Sequence, residues 1–170
     1  MTKWNLILVF SLLVSGLAAQ EADSTRAEDV NYVFQSDTLI EFAKSLLGVP
    51  YCYGGSSPQG FDCSGFVNYV YSHFGFEVPR STTDFAKFGT EISIDSCKRG
   101  DIILFAGRNK EKRPVGHAGI VVSLKDEPLK FIHSATSNKR GIVITAFDSY
   151  EYYKSRFVKI VRVFDVVAVP

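Results

Sequence analysis

Tyr51-Cys52-Tyr53-Gly54-Gly55, followed shortly by Phe61-Asp62-Cys63-Ser64-Gly65-Phe66-Val67, decides how the rest of the chain is read. From Asp62 or Cys63 onward, Phe66, Val67, Val70, Tyr71 and Phe74 recur at helical spacing, and Gly75 supplies the stop. A cysteine at the start of a helix meets unpaired backbone N–H groups and the positive end of the helix dipole, both of which favour the thiolate. Gly65 on one side and Gly54-Gly55 on the other let backbone approach the sulfur closely. Most free cysteines are small buried hydrophobes, so the position gains chemical meaning only if a base is brought to it.

The candidates for that base lie downstream, where the hydrophobic period changes. Asp101 to Phe105, Ala118 to Leu124, Leu129 to His133, Ile142 to Thr145 and Val158 to Phe164 are short β-branched or aromatic runs separated by turn residues. His117 stands in Gly116-His117-Ala118-Gly119 at the entrance of the second run, and His133 ends the third. If these two runs form an antiparallel hairpin, His133 returns beside His117. One imidazole then acts as base, with an unperturbed pKa near 6.5, and the other orients it. Each histidine taken singly is equally readable as a hydrogen-bonded residue at a sheet edge. The remaining one, His73, falls late in the second helix and reads as a solvated surface residue.

Upstream, Thr38-Leu39-Ile40-Glu41 has the form of a capping box. Leu39, Phe42, Ala43, Leu46 and Leu47 share a face, and Gly48 and Pro50 end the helix. Ser81-Thr82-Thr83-Asp84 caps a shorter helix with Phe85 and Phe88. Helices first and strands afterwards predict an α+β domain, with N-terminal helices packed on a mostly antiparallel sheet. Arg108 to Pro114 reads as a solvated loop beside the site.

The N-terminus carries Lys3, an apolar run from Leu6 to Leu17, and small residues at Gly16, Ala18 and Ala19, the pattern of a cleaved secretory signal over residues 1–19. The run is shorter than the ~20 residues that span a bilayer, so no stable membrane insertion is expected after cleavage. Residues 20–36 are polar and read as a flexible leader, and residues 37–170 as the domain. The chain holds 19 basic and 18 acidic residues, so loss of Lys3 leaves 18 of each. A neutral mature chain offers no electrostatic reason for a nucleic-acid partner. Of the three cysteines, a bridge between Cys52 and Cys97 would leave Cys63 free, but sequence does not fix their separation. The same cysteines and histidines are also zinc-ligand types, yet none of the short paired spacings of structural zinc sites is present.

Six stretches in order resemble the NlpC/P60 family of cell-wall peptidases. They are Gly48 to Gly55, Phe61 to Val67, Val78-Pro79-Arg80-Ser81-Thr82, Arg99 to Phe105, Gly116 to Ile120 and Phe131-Ile132-His133-Ser134. The resemblance implies a papain-like fold and an exported, periplasmic or extracellular enzyme that hydrolyses the stem peptides of bacterial peptidoglycan. Cys63 would be its nucleophile, His117 the general base and His133 the orienting residue. It places Tyr51 in the oxyanion region and gives Asp62 and Ser64 a part in shaping the substrate pocket; their other readings are core packing, a helix N-cap and a solvated hydroxyl. No cofactor is implied. The usual bond in the family is γ-D-glutamyl to diaminopimelate, with the D-alanyl–diaminopimelate cross-link or a non-catalytic wall-peptide binding module as alternatives. This chain departs from the family pattern in carrying Phe85 where a glutamine often follows the Arg-Ser pair. Oligomeric state is left open.

Overall fold

Ile102 to Ala106 is buried along its whole length, and the fold is built around that strand. A computed structural model describes residues 36–107, 114–136 and 141–163. The signal and leader over residues 1–35 and the expected loop at residues 108–113 lie outside the described residues. The first helix, α1, covers residues 36–45. It is followed by a hairpin of two short strands, β1 (Ser56–Ser57) and β2 (Gly60–Phe61), and by α2 (Cys63–His73) and the single turn α3 (Thr82–Phe85). Then come β3 (Thr90–Ile92), β4 (Ile102–Ala106), β5 (Val115–Val121), β6 (Lys130–Ala135), β7 (Gly141–Ala146), the single turn α4 (Glu151–Lys154) and β8 (Phe157–Arg162).

The main sheet has six strands in the order β3-β8-β4-β5-β6-β7, and every pairing is antiparallel. The fold class is therefore α+β, as the change of period predicts, and the papain-like fold is what the resemblance implies. Because β4 lies inside the sheet, both of its faces need cover. Ile103 and Phe105 join Val121, Phe131, Phe147 and Ile160 in one apolar cluster, against which Tyr153 and Phe157 pack. Ile102 and Leu104 alternate with them along the strand and are also fully buried. α2 contacts β5 and β6, and its Phe66, Val67, Val70 and Tyr71 are buried.

Polar ties fix the layers at a few points. Asp101 is fully buried at the head of β4. It accepts from Arg162 Nε and Nη2, both at 2.8 Å, and from the Lys98 N–H at 2.7 Å. Removing one partner of such a pair strands a buried charge, at a cost of about 3–5 kcal/mol. The Ser134 hydroxyl donates to the Phe61 carbonyl at 2.7 Å, joining β6 to the segment just before α2.

Several expectations shift in detail. Ser36 and Asp37 are already helical, so Thr38 stands inside α1 and does not cap it. β5 begins at Val115, because its pairing with β4 extends through His117, opposite Phe105, to Val115, opposite Ala106. His117 is thus within a strand, not at its entrance, and His133 is followed by two more residues of β6. β1, β2 and β3 were not expected, since each is only two or three residues long and carries no alternating pattern. All three thiols are free, so the Cys52–Cys97 bridge is not formed. Cys52 is exposed in the turn before Gly54, whereas Cys97 packs against the apolar cluster around Ile103 and Phe105.

Candidate active site

Asp62 turns the start of α2 into a fixed platform. Its backbone is extended, and its Oδ1 accepts from the Gly65 N–H at 2.6 Å, the geometry of a helix N-cap. A side chain at Gly65 would collide with the Gly55 carbonyl, which itself accepts from the Asp62 N–H at 3.0 Å. Only glycine lets the helix start lie this close to the Gly54-Gly55 turn. Arg80 then clamps the assembly: its guanidinium donates to both Asp62 carboxylate oxygens at 3.0 and 2.9 Å, to Ser64 Oγ at 3.1 Å and to the Gly54 carbonyl at 2.8 Å. Asp62 and Ser64 are therefore engaged beside Cys63, and neither side chain lines the cleft into which Cys63 opens. Phe85 is fully buried with its ring edge-on to Phe88, so it is a core residue in the helical turn after Arg80.

Cys63 is half-buried at the first turn of α2. Burial pushes its thiol pKa up, and the neighbouring Asp62 charge adds to that. Backbone N–H groups of Ala118, Ser64 and Cys63 itself point at the sulfur and pull in the opposite direction, without overcoming burial. The Ala118 contact brings the sulfur to the strand that carries His117.

On that strand the hairpin brings the two imidazoles together, as its antiparallel sense predicts. His117 Nε2 lies 2.8 Å from His133 Nδ1, with the ring planes at 87°. His133 is fully buried, and its Nε2 lies 2.9 Å from Thr145 Oγ1 on β7. A neutral imidazole has one N–H, so this chain has a polarity. With Thr145 as terminal acceptor, His133 carries its proton on Nε2, His117 carries its proton on Nε2, and His117 Nδ1 is left as a lone pair. With Thr145 as donor, every proton shifts by one nitrogen and His117 Nδ1 is protonated. Burial lowers the His117 pKa to about 4 and holds His133 well below its usual range, the latter helped by its neighbour. Both rings are neutral at pH 7.

Tyr153 packs against both histidine rings, with centroids 6.3 Å from His117 and 5.4 Å from His133. Burial and the neighbouring tyrosines push its phenol up to about 12. Cys63, His117, Thr145 and Tyr153 all open on one cleft of about 710 Å³, together with Tyr51 and the largely exposed Tyr53. Tyr51 sits at its mouth, bridged to Phe61 through its backbone. His73 is exposed at the far end of α2 and stacks on Phe42 at 3.9 Å. Among the described residues no group of three or more His, Cys, Asp or Glu side chains is arranged to hold a metal ion. No described helix is long and apolar enough to cross a membrane.

Sequence analysis gives Thr145 only as the end of a strand and does not single out Tyr153. Thr145 follows Ile142-Val143-Ile144, where a threonine is indistinguishable from any β-branched strand former. Tyr153 stands in a run of tyrosines on a single helical turn, too short for periodicity to single out a buried face.

Cys63 at the start of α2 and His117 on the antiparallel sheet thus open on the same cleft. The match of residues 48–162 to the NlpC/P60 family completes the assignment, and this chain belongs to that family. It is 31% identical over 154 residues to the probable endopeptidase NlpC of Escherichia coli K12, covering 90% of this chain and 95% of that one. It is 28% identical over 159 residues to the γ-DL-glutamyl hydrolase of Bacillus subtilis 168; there the alignment covers 93% of this chain but 36% of the relative. The crystal structure of an NlpC/P60 family protein from Bacillus cereus superposes with a TM-score of 0.66 at 30% identity, over 75% of this chain and 40% of that one.

Proposed function

We propose that this chain is an exported cysteine endopeptidase of the bacterial cell wall, cutting the γ-D-glutamyl–diaminopimelate bond of peptidoglycan stem peptides. The observation that carries the reading is the 2.8 Å contact between His117 Nε2 and His133 Nδ1 in the cleft onto which Cys63 opens. A pure binding module has no use for a thiol at a helix start and a two-imidazole chain opening on the same cleft. Export follows from the signal pattern of residues 1–19, and the wall substrate from the names of the family relatives.

The chemistry begins from a neutral pair, because burial raises the Cys63 thiol and lowers His117. As the sulfur attacks the amide carbonyl carbon, its proton passes to His117 Nδ1, which requires the polarity with Thr145 accepting. The carbonyl electrons move onto oxygen, and the backbone N–H groups of Cys63 and Ser64, which face the sulfur, stabilise that oxyanion together with Tyr51. His117 then gives the proton to the leaving nitrogen, and the amine departs from a thioester. Water attacks the thioester with His117 again taking a proton; the acid leaves and the thiol is restored. His133 holds the His117 ring in place, and Tyr153 keeps water from the pair.

Mass spectrometry of purified muropeptides before and after incubation tests the reading. Two new fragments separated at the γ-D-glutamyl bond are expected. Fragments ending in D-alanine would reassign the bond, and an unchanged spectrum would overturn the assignment as a hydrolase.

A further inference from the structure

One cation in the cleft is left over by the reaction just described. Arg156, half-buried after α4, is the only Asp, Glu, Lys or Arg among the described residues lining the cleft. The other arginines near the fold's polar ties are matched by acids: Arg80 with Asp62, Arg99 with Asp37 and Arg162 with Asp101. Arg156 has no carboxylate partner among the described residues. Its Nη1 donates to the Gly107 carbonyl at 2.6 Å and reaches the Ala106 carbonyl at 3.5 Å, while its guanidinium carbon lies 4.5 Å over the Tyr152 ring. Nε and Nη2 find no protein acceptor among the described residues. A guanidinium fixed at one nitrogen and supported on an aromatic face, with its other donors unmatched among the described residues, is pre-organised for a carboxylate.

The side of the cleft follows from what Arg156 holds. Gly107 follows β4 directly and packs against Gly116, the residue before His117, so Arg156 is tethered to the wall that carries the histidine. His117 must reach the leaving nitrogen to protonate it, which places the amine-side residue of the substrate on that same wall. We infer that Arg156 and Tyr152 form a subsite for a carboxylate on the residue that supplies the leaving amine, making the enzyme selective for a diamino acid that keeps a free side-chain carboxylate. The inference rests on the endopeptidase reading above and adds the residue that distinguishes an acidic third position from a neutral or amidated one.

The test uses the mature full chain and two synthetic stem peptides, identical except that the side chain of the amine-side residue ends in a carboxylate in one and a carboxamide in the other. The wild type should show kcat/KM at least about tenfold higher for the carboxylate peptide, the scale of one charge-assisted hydrogen bond. Arg156→Gln should bring that ratio towards one, and Arg156→Lys should keep part of it. Equal wild-type rates on the two peptides would overturn the subsite while leaving the hydrolase intact. So would an Arg156→Gln variant that loses activity on both by the same factor, because the contacts to Gly107 and Ala106 would then be the residue's whole role. Failure to cut either peptide would overturn the endopeptidase reading and the subsite with it.

Discussion

The two halves of the cleft are held by opposite means. On the cysteine side Cys63 stands on a polar scaffold: an Asp62 cap, a glycine turn against Gly65, and an Arg80 guanidinium that is itself partly exposed. On the histidine side the scaffold is uncharged, a line from half-buried His117 through fully buried His133 to Thr145, packed by Phe131 and Tyr153. The first half fixes backbone, and charge there is tolerable because water shares the load. The second fixes protons, and a charge on fully buried His133 would be left without hydration. A thiol raised by burial and an imidazole lowered by burial, opening on one cleft, are the chemical result of joining them.

The sharpest way to break this contrast is to empty the histidine half. Under the proposed mechanism His117→Ala should lower kcat by about 10²–10⁴-fold, the range for loss of a general base. His133→Ala should be milder, since it removes orientation and leaves the base. The reverse ranking in kcat would exchange the two roles.

A smaller effect concerns pH. Both histidines have folded-state pKa values below the ordinary 6.5, so the unfolded chain takes up protons that the native state refuses. Their contribution is present above pH 6.5 and is lost as pH falls towards about 4. For His117 alone the loss is about 2 kcal/mol between pH 7 and pH 5. Urea unfolding at those two pH values checks it; equal or greater stability at pH 5 would show that the imidazoles are hydrated.

Legibility from sequence follows the same division. The cysteine half was readable almost residue by residue, because caps, glycine turns and helix stops are local: Asp62, Cys63, Gly65 and Gly75 carry their roles in their immediate neighbours. Of the histidine half, the hairpin brought His117 and His133 together in the reading, since antiparallel pairing of adjacent strands needs little information. Its third member did not appear, because Thr145 reaches His133 only through the β6–β7 register, which opposes Thr145 to Phe131 and Val143 to His133. The roles of Asp62 and Ser64 were blurred for a related reason: their partner, Arg80, lies beyond α2, and sequence does not show a clamp that folds back across a helix. Short strands such as β3 depend on the neighbour they pair with and have no pattern of their own.

The mildest probe sharpens the proton line itself. Thr145→Val keeps shape and removes the terminal acceptor, so the tautomer with a bare His117 Nδ1 loses about one hydrogen bond of preference, or roughly fivefold in kcat. Serine at the same position should restore most of the rate. A valine variant as active as the wild type would show that the line ends at His133.

The central claim is that one thiol of the three performs the hydrolysis, and cysteine-by-cysteine replacement measures it most directly. Cys63→Ala, Cys52→Ala and Cys97→Ala are compared with the wild type for release of stem-peptide fragments, with circular dichroism confirming that each is folded. Fragment release should fall to background in Cys63→Ala alone and persist in the other two. Undiminished release by a folded Cys63→Ala variant would contradict the account.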